Sequence, residues 1–239
     1  MQNLFENIKY KTKDRQNKKI THRKVFKLME NIEVVIPKKL ENLNLPDPDL
    51  LHLYEDEDGR RIYLEGTIGT DEDPLNNNAS EIVKTILRYN REDKGLSSEE
   101  RKPIKIFIDS AGGDVSYSLV LAQTMLLSKT PIYTINLCNA YSAAGLILVC
   151  GHKKFGLPGS SVLIHSGSLY VGGTREQADS TKKFFDKLDK KFNDLLLART
   201  KIDTKTYKQK APKDWFLDTD ECLKYGLIDE VVKDLDKIL

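Results

Sequence analysis

Apolar positions along this chain fall into short, regular blocks separated by charged stretches, and the spacing within each block predicts its secondary structure. Arg61-Ile62-Tyr63-Leu64-Glu65-Gly66-Thr67-Ile68 is strand-like, and Ile82, Val83, Ile86 and Leu87 mark a helical stripe over Ala79–Tyr89. A charged loop is predicted over Asn90–Lys102, a strand over Ile104–Asp109, and a helix over Val115–Ser128. Another strand spans Pro131–Leu137, followed by an apolar helix over Ser142–Cys150. Short strands are predicted around Phe155–Leu157 and Val162–Ile164. A long helix over Arg175–Arg199 carries Phe185, Leu188, Phe192 and Leu195 on one face and many Lys and Asp on the others, so it must lean on the core or on another subunit. Asp218 is placed as an N-cap with Glu221 at the third helical position, for a short helix ending at Gly226. Leu227–Val232 reads as a last strand. Strands alternating with helices predict an α/β fold with a parallel sheet and crossovers.

Two regions are expected. Residues 1–50 form a basic, polar N-terminal extension that closes with Pro46-Asp47-Pro48-Asp49, and residues 51–239 form the folded domain. The first 30 residues hold nine Lys/Arg against Glu6, Asp14 and Glu30, a run best read as a solvated arm and given no nucleic-acid or membrane role. The whole chain is nonetheless near neutral, with a formal net charge of +2. No run of about 18 apolar residues is present, so no membrane span is expected, and the first residues lack the build of a secretory signal. Cys138, Cys150 and Cys222 are far apart and outside any CxxC spacing, which suits reduced thiols in the cytoplasm, with Cys138 and Cys150 expected in the core.

The candidate chemistry lies in Ser142, His165 and Asp214, in that order behind Ser110-Ala111-Gly112-Gly113. A serine becomes a useful nucleophile beside a base, and the base needs a carboxylate to fix its tautomer and stabilise its charge. Ser142 stands between a strand and a helix, although serine is also a preferred N-cap and GxSxG is absent. His165 ends an apolar strand beside Ser166-Gly167-Ser168, and Asp214 precedes the aromatic pair Trp215-Phe216, expected to be buried. The glycine pair reads as a turn that lets backbone approach a reacting group, and its neighbours exclude both GxGxxG and a phosphate-binding lysine. His152 is expected at the surface, while His22 and His52 have no evident partner. No His/Cys/Asp cluster has ligand spacing, so neither metal nor cofactor is expected.

Four blocks in order carry a resemblance to the ClpP family of self-compartmentalised serine peptidases. Ile108-Asp109-Ser110-Ala111-Gly112-Gly113-Asp114-Val115 resembles the family's INSPGG block, and Asn139-Ala140-Tyr141-Ser142-Ala143-Ala144-Gly145 its nucleophile block. Phe155–His165 is similar to its LPNSxxMIH block, and Tyr225-Gly226-Leu227-Ile228-Asp229 to its closing YGLID. The resemblance covers Ile62 to Val232 and implies a ClpP/crotonase-like fold of repeated β-β-α units, with Arg175–Arg199 as a protruding handle helix. It implies Ser142 as nucleophile, His165 as general base then acid, and Asp214 as orienting carboxylate. Gly113 and Ala143 would donate oxyanion N–H groups, and Gly112 would bind substrate. The segment Leu169, Tyr170, Val171, Gly172, Gly173 and Thr174 would be a strand that pairs with extended substrate. The implied activity is hydrolysis of unfolded polypeptide by heptameric rings, two of them in a tetradecamer, fed by an ATP-driven AAA+ unfoldase. Ala111, Tyr141, Ser166-Gly167, Lys105 and Lys213 depart from the family pattern. Alternatives are a stand-alone or phage-type peptidase and a non-catalytic subunit of a mixed ring. A crotonase-type acyl-CoA enzyme would leave Ser142 and His165 without a role.

Overall fold

The computed structural model describes residues 59–69 and 78–239. The expected extension over residues 1–50, together with His22 and His52, lies outside the described residues. The elements run β1 (Arg61–Ile68), α1 (Asn78–Glu92), β2 (Ile104–Gly113), α2 (Val115–Leu127), β3 (Ile132–Tyr141), α3 (Ala143–Val149), β4 (Lys153–Gly156) and β5 (Ser161–Ile164). They continue with α4 (Arg175–Ala198), α5 (Thr204–Lys210), β6 (Trp215–Leu217), α6 (Thr219–Lys224) and β7 (Glu230–Val231).

The sheet order is β1-β2-β3-β4-β7, and β3 carries a second branch through β5 to β6. All pairings are parallel except β5 with β6. The branch arises because β3 changes neighbours along its length: Tyr133–Asn136 pair with β4, whereas Asn139–Tyr141 pair with β5. Buried Asn136 spans the fork, its Nδ2 donating to the Ser161 carbonyl at 2.9 Å. The fork delivers the end of β3, and hence Ser142, beside the end of β5.

The central strands are apolar on both faces, as a covered parallel sheet requires. Ile104, Ile106, Phe107 and Ile108 of β2 are all buried. Helix α3 is apolar all round and every one of its residues is buried, so it sits inside the core rather than on it. In α1, Ala79, Ile82, Ile86 and Tyr89 follow the helical period and are buried against the sheet. Asp114 caps α2 by accepting from the Ser116 and Tyr117 N–H groups at 2.6 and 3.1 Å, which stops β2 and starts the helix in one residue. Helix α4 packs Leu188, Phe192 and Leu195 on the core, whereas Phe184 is exposed. Its C-terminal end is tied down by Arg199, whose guanidinium donates to the Val149 and Gly151 carbonyls at 3.1 and 2.8 Å.

Several expectations are corrected. Ser110–Gly113 is no turn but the end of β2, paired with β1 beyond a register shift at Gly66/Thr67. Helix α1 continues to Glu92, into the expected loop. The expected strand Leu227–Val232 shrinks to Glu230–Val231, because Leu227 and Ile228 turn into the core after Gly226 at φ 73°. Leu169–Thr174, whose expected pairing partner is a substrate chain, is exposed and pairs with no strand among the described residues, and Thr174 caps α4 in a reciprocal pair with Gln177. Cys138 is exposed, whereas Cys150 and Cys222 are buried.

Candidate active site

Ser142 is the single residue between β3 and α3, and its backbone stands at φ 54°, ψ −120°. A side chain is disfavoured there, so the surrounding structure must hold it. Two contacts do so. The Ser142 N–H donates to the Leu163 carbonyl at 2.8 Å, extending the β3–β5 ladder by one residue. On the other side, a Cβ on Gly112 (φ 94°) would lie 2.6 Å from the Tyr141 carbonyl oxygen and 2.9 Å from the Ala143 nitrogen. Only glycine fits against that junction.

The N-cap reading of Ser142 fails on this geometry, because its side chain makes no cap hydrogen bond. The hydroxyl turns away from the helix, and Oγ lies 2.7 Å from His165 Nε2. His165 follows the last residue of β5, and its side chain is 27 % exposed, open to a substrate but restrained. The antiparallel register Val162↔Leu217, Leu163↔Phe216 and Ile164↔Trp215 makes His165 and Asp214 the next facing pair beyond the ladder. Asp214 Oδ1 stands 3.5 Å from His165 Nδ1, a long contact, and the carboxylate is 65 % exposed. Asp214 is itself at φ 51°. The sheet therefore brings Ser142, His165 and Asp214 into one row, although they are 72 residues apart in sequence from first to last.

The glycine pair divides its work. The Gly112 N–H donates to Ser110 Oγ at 3.1 Å, and Ser110 Oγ in turn donates to the Gly66 carbonyl at 2.6 Å. Gly113 (φ 151°) passes so close to β1 that a Cβ would meet the Ile68 carbonyl oxygen at 2.3 Å. Ala143 is the first residue of α3, and its N–H has no acceptor within the helix by position. Leu169, Tyr170, Val171, Gly172 and Gly173 run exposed between the His165 loop and α4, with Tyr170 96 % exposed.

The remaining reactive groups lie elsewhere. Burial pushes the Cys150 and Cys222 thiols up to about 12, which removes them as nucleophiles near neutrality. His152 is exposed as expected, but its Nδ1 accepts the Ile132 N–H at 3.0 Å, and partial desolvation of the ring lowers its pKa. Among the described residues, no group of three His, Cys, Asp or Glu could hold a metal ion, and no helix is long and apolar enough to cross a membrane.

Two residues near the site, Tyr141 and Phe216, meet in a way that the sequence does not foretell. Phe216 is 58 % exposed rather than buried, because strand alternation sends it to the face opposite buried Trp215. There it meets Tyr141 edge to face, with ring centroids 5.8 Å apart.

Residues 58–234 match the model of the Clp protease family. The chain belongs to that family. Among its relatives, "ATP-dependent Clp protease proteolytic subunit 2" of Treponema denticola is 33 % identical over 176 residues, covering 73 % of this chain and 82 % of the relative. The protein of the same name from Treponema pallidum is 30 % identical over the same shares. As a Clp protease family member the chain is a serine-type endopeptidase, on a mixed α/β fold with the parallel sheet described above.

Proposed function

We propose that this Clp-family peptidase cleaves unfolded polypeptide through an acyl-enzyme on Ser142. The observation that carries the reading is the 2.7 Å contact between Ser142 Oγ and His165 Nε2. Oγ attacks the scissile carbonyl carbon and its proton passes to Nε2. The resulting oxyanion is met by the N–H groups of Gly113 and Ala143. Collapse breaks the C–N bond as His165 returns the proton to the leaving amine, and water repeats the sequence to release the acyl group. Asp214 holds the Nδ1–H tautomer and stabilises the imidazolium. The short Ser–His contact supports a catalytic subunit over the non-catalytic alternative.

Substrate specificity follows from the backbone. The exposed stretch Leu169–Thr174, with peptide groups outside any ladder, offers a surface on which an extended chain pairs by main-chain hydrogen bonds, indifferent to sequence. The relatives are named as proteolytic subunits of an ATP-dependent protease. That supports an assembly that works with an ATP-driven partner, and the family resemblance implies heptameric rings of this chain fed by an unfoldase. The three free thiols suit a cytoplasmic setting.

The test is degradation of an unfolded and a stably folded protein by wild type, Ser142→Ala and His165→Ala, with particle size followed by light scattering. Wild type should degrade the unfolded substrate, and each variant should lose on the order of 10³-fold or more. Full activity in either variant would refute the assignment.

A further inference from the structure

The contact that should orient His165 is the least supported part of the site. Strand β6 has three residues and pairs with β5 alone among the described strands. The ladder ends at Ile164↔Trp215, so Asp214 lies one step past the last pair. Its carboxylate is largely exposed and 3.5 Å from Nδ1. Something other than the ladder must fix where β6 begins.

Side chains grip β6 from both faces. On the inner face, buried Trp215 packs edge to face on Tyr225 at 5.0 Å, with Lys210 Nζ 4.4 Å above its ring. On the outer face, Phe216 meets Tyr141 edge to face. Tyr141, Leu163 and Phe216 are register partners across β3, β5 and β6, so this contact reaches over β5 from one flanking strand to the other. Tyr141 directly precedes Ser142, and it is anchored at its far end. Its hydroxyl is 3.0 Å from Ser161 Oγ, and Ser161 Oγ donates to Asn139 Oδ1 at 3.4 Å. Asn139 is tied in turn to Asp109 through its N–H and Nδ2, at 3.3 and 3.4 Å.

We propose that the Tyr141–Phe216 pair is a positioning clamp that sets Asp214 against His165 by fastening the strand of the carboxylate to the residue before the nucleophile. The proposal rests on the reading of Ser142, His165 and Asp214 as the catalytic set. Tyr141 and Phe216 are positioning residues: they act through Asp214 and touch none of the reacting atoms. An edge-to-face pair of this kind is worth about a three- to tenfold factor, which is the loss in kcat expected when the ring of Phe216 is removed. KM should stay unchanged.

The experiment is a double-mutant cycle in the full-length chain, read as kcat and KM on a small peptide ester and as the rate of acylation by a fluorophosphonate. Phe216→Ala and Phe216→Leu should lower kcat, and Phe216→Tyr, which keeps the ring edge, should restore it. Tyr141→Ala should match Phe216→Ala. In an Asp214→Asn background, Phe216→Leu should cost nothing further. Leu keeps bulk on the strand, so its result stands even if the Ala variant folds poorly. The same loss in both backgrounds, a change confined to KM, or no loss from either Phe216 variant would overturn the clamp. Full activity of Asp214→Asn alone would instead overturn the reading on which it rests.

Discussion

Ser142 should be a worse residue for stability than glycine. Its φ of 54° with ψ −120° lies where a Cβ is disfavoured, at a cost of roughly 1–3 kcal/mol. Ser142→Ala and Ser142→Gly both delete the hydroxyl and its contact with His165, so their difference isolates the backbone. Alanine keeps the strain. Glycine removes it but gives the unfolded chain more freedom, a penalty of about 0.4–1 kcal/mol. The net difference is about 0.5–2 kcal/mol in favour of glycine, or roughly 2–6 °C in Tm for a chain of this size. Thermal unfolding of the two variants at matched concentration, supported by urea titration, gives the number without any assay of activity. Both variants should lack peptidase activity, yet Ser142→Gly should melt higher. Equal melting, or a lower Tm for Ser142→Gly, would show that the junction imposes no strain on the residue at its centre.

Two further outcomes follow from close contacts. Gly112→Ala places a Cβ 2.6 Å from a main-chain oxygen at φ 94°, so it should lose more than about tenfold in kcat/KM and about 2 kcal/mol or more in stability; near-wild-type kinetics and Tm would contradict the fit of Gly112 against Ser142. Asp93 is a structural prediction: Arg60 donates to both its oxygens at 2.7 and 2.8 Å, Thr130 Oγ1 donates at 2.8 Å, and the carboxylate is 4 % exposed. Hydrogen bonding from Arg60, opposed by burial, holds the carboxyl below its usual range. The stabilisation is therefore complete above the unfolded carboxylate pKa near ~4 and fades as pH falls through the lower folded value. Asp93→Ala should cost about 3 kcal/mol at neutral pH by stranding Arg60, and should flatten the acid limb of stability against pH; an unchanged acid limb in denaturant titrations would refute this.

The legible parts of this chain are those in which one strong local signal decides the outcome. Isoleucine spacing marks β2, the apolar run after Ser142 marks α3, and Asp218 with Glu221 forms the capping box expected from their separation. Where two signals compete, sequence reading goes astray. Glycines usually end a strand, but Gly112 and Gly113 continue β2 because β1 and the Ser142 junction crowd it on either side. Thr174 closes the segment that the family resemblance marks for substrate pairing, and its reciprocal bonds with Gln177 also make it the cap of α4. The aromatic pair after Asp214 splits between faces because a three-residue strand alternates like a longer one. At the site, order along the chain suggests which residues matter, but the row that joins Ser142, His165 and Asp214 depends on the fork at β3 and the register of β5 with β6. No local pattern encodes either feature.

The central claim is that Ser142 is the nucleophile. Intact-mass labelling with a fluorophosphonate, wild type beside Ser142→Ala, tests it most directly. One adduct per chain on wild type, mapped to Ser142 and missing from the variant, is the predicted result. An adduct that persists in Ser142→Ala, or an assembled wild-type protein that takes up no label, would contradict it.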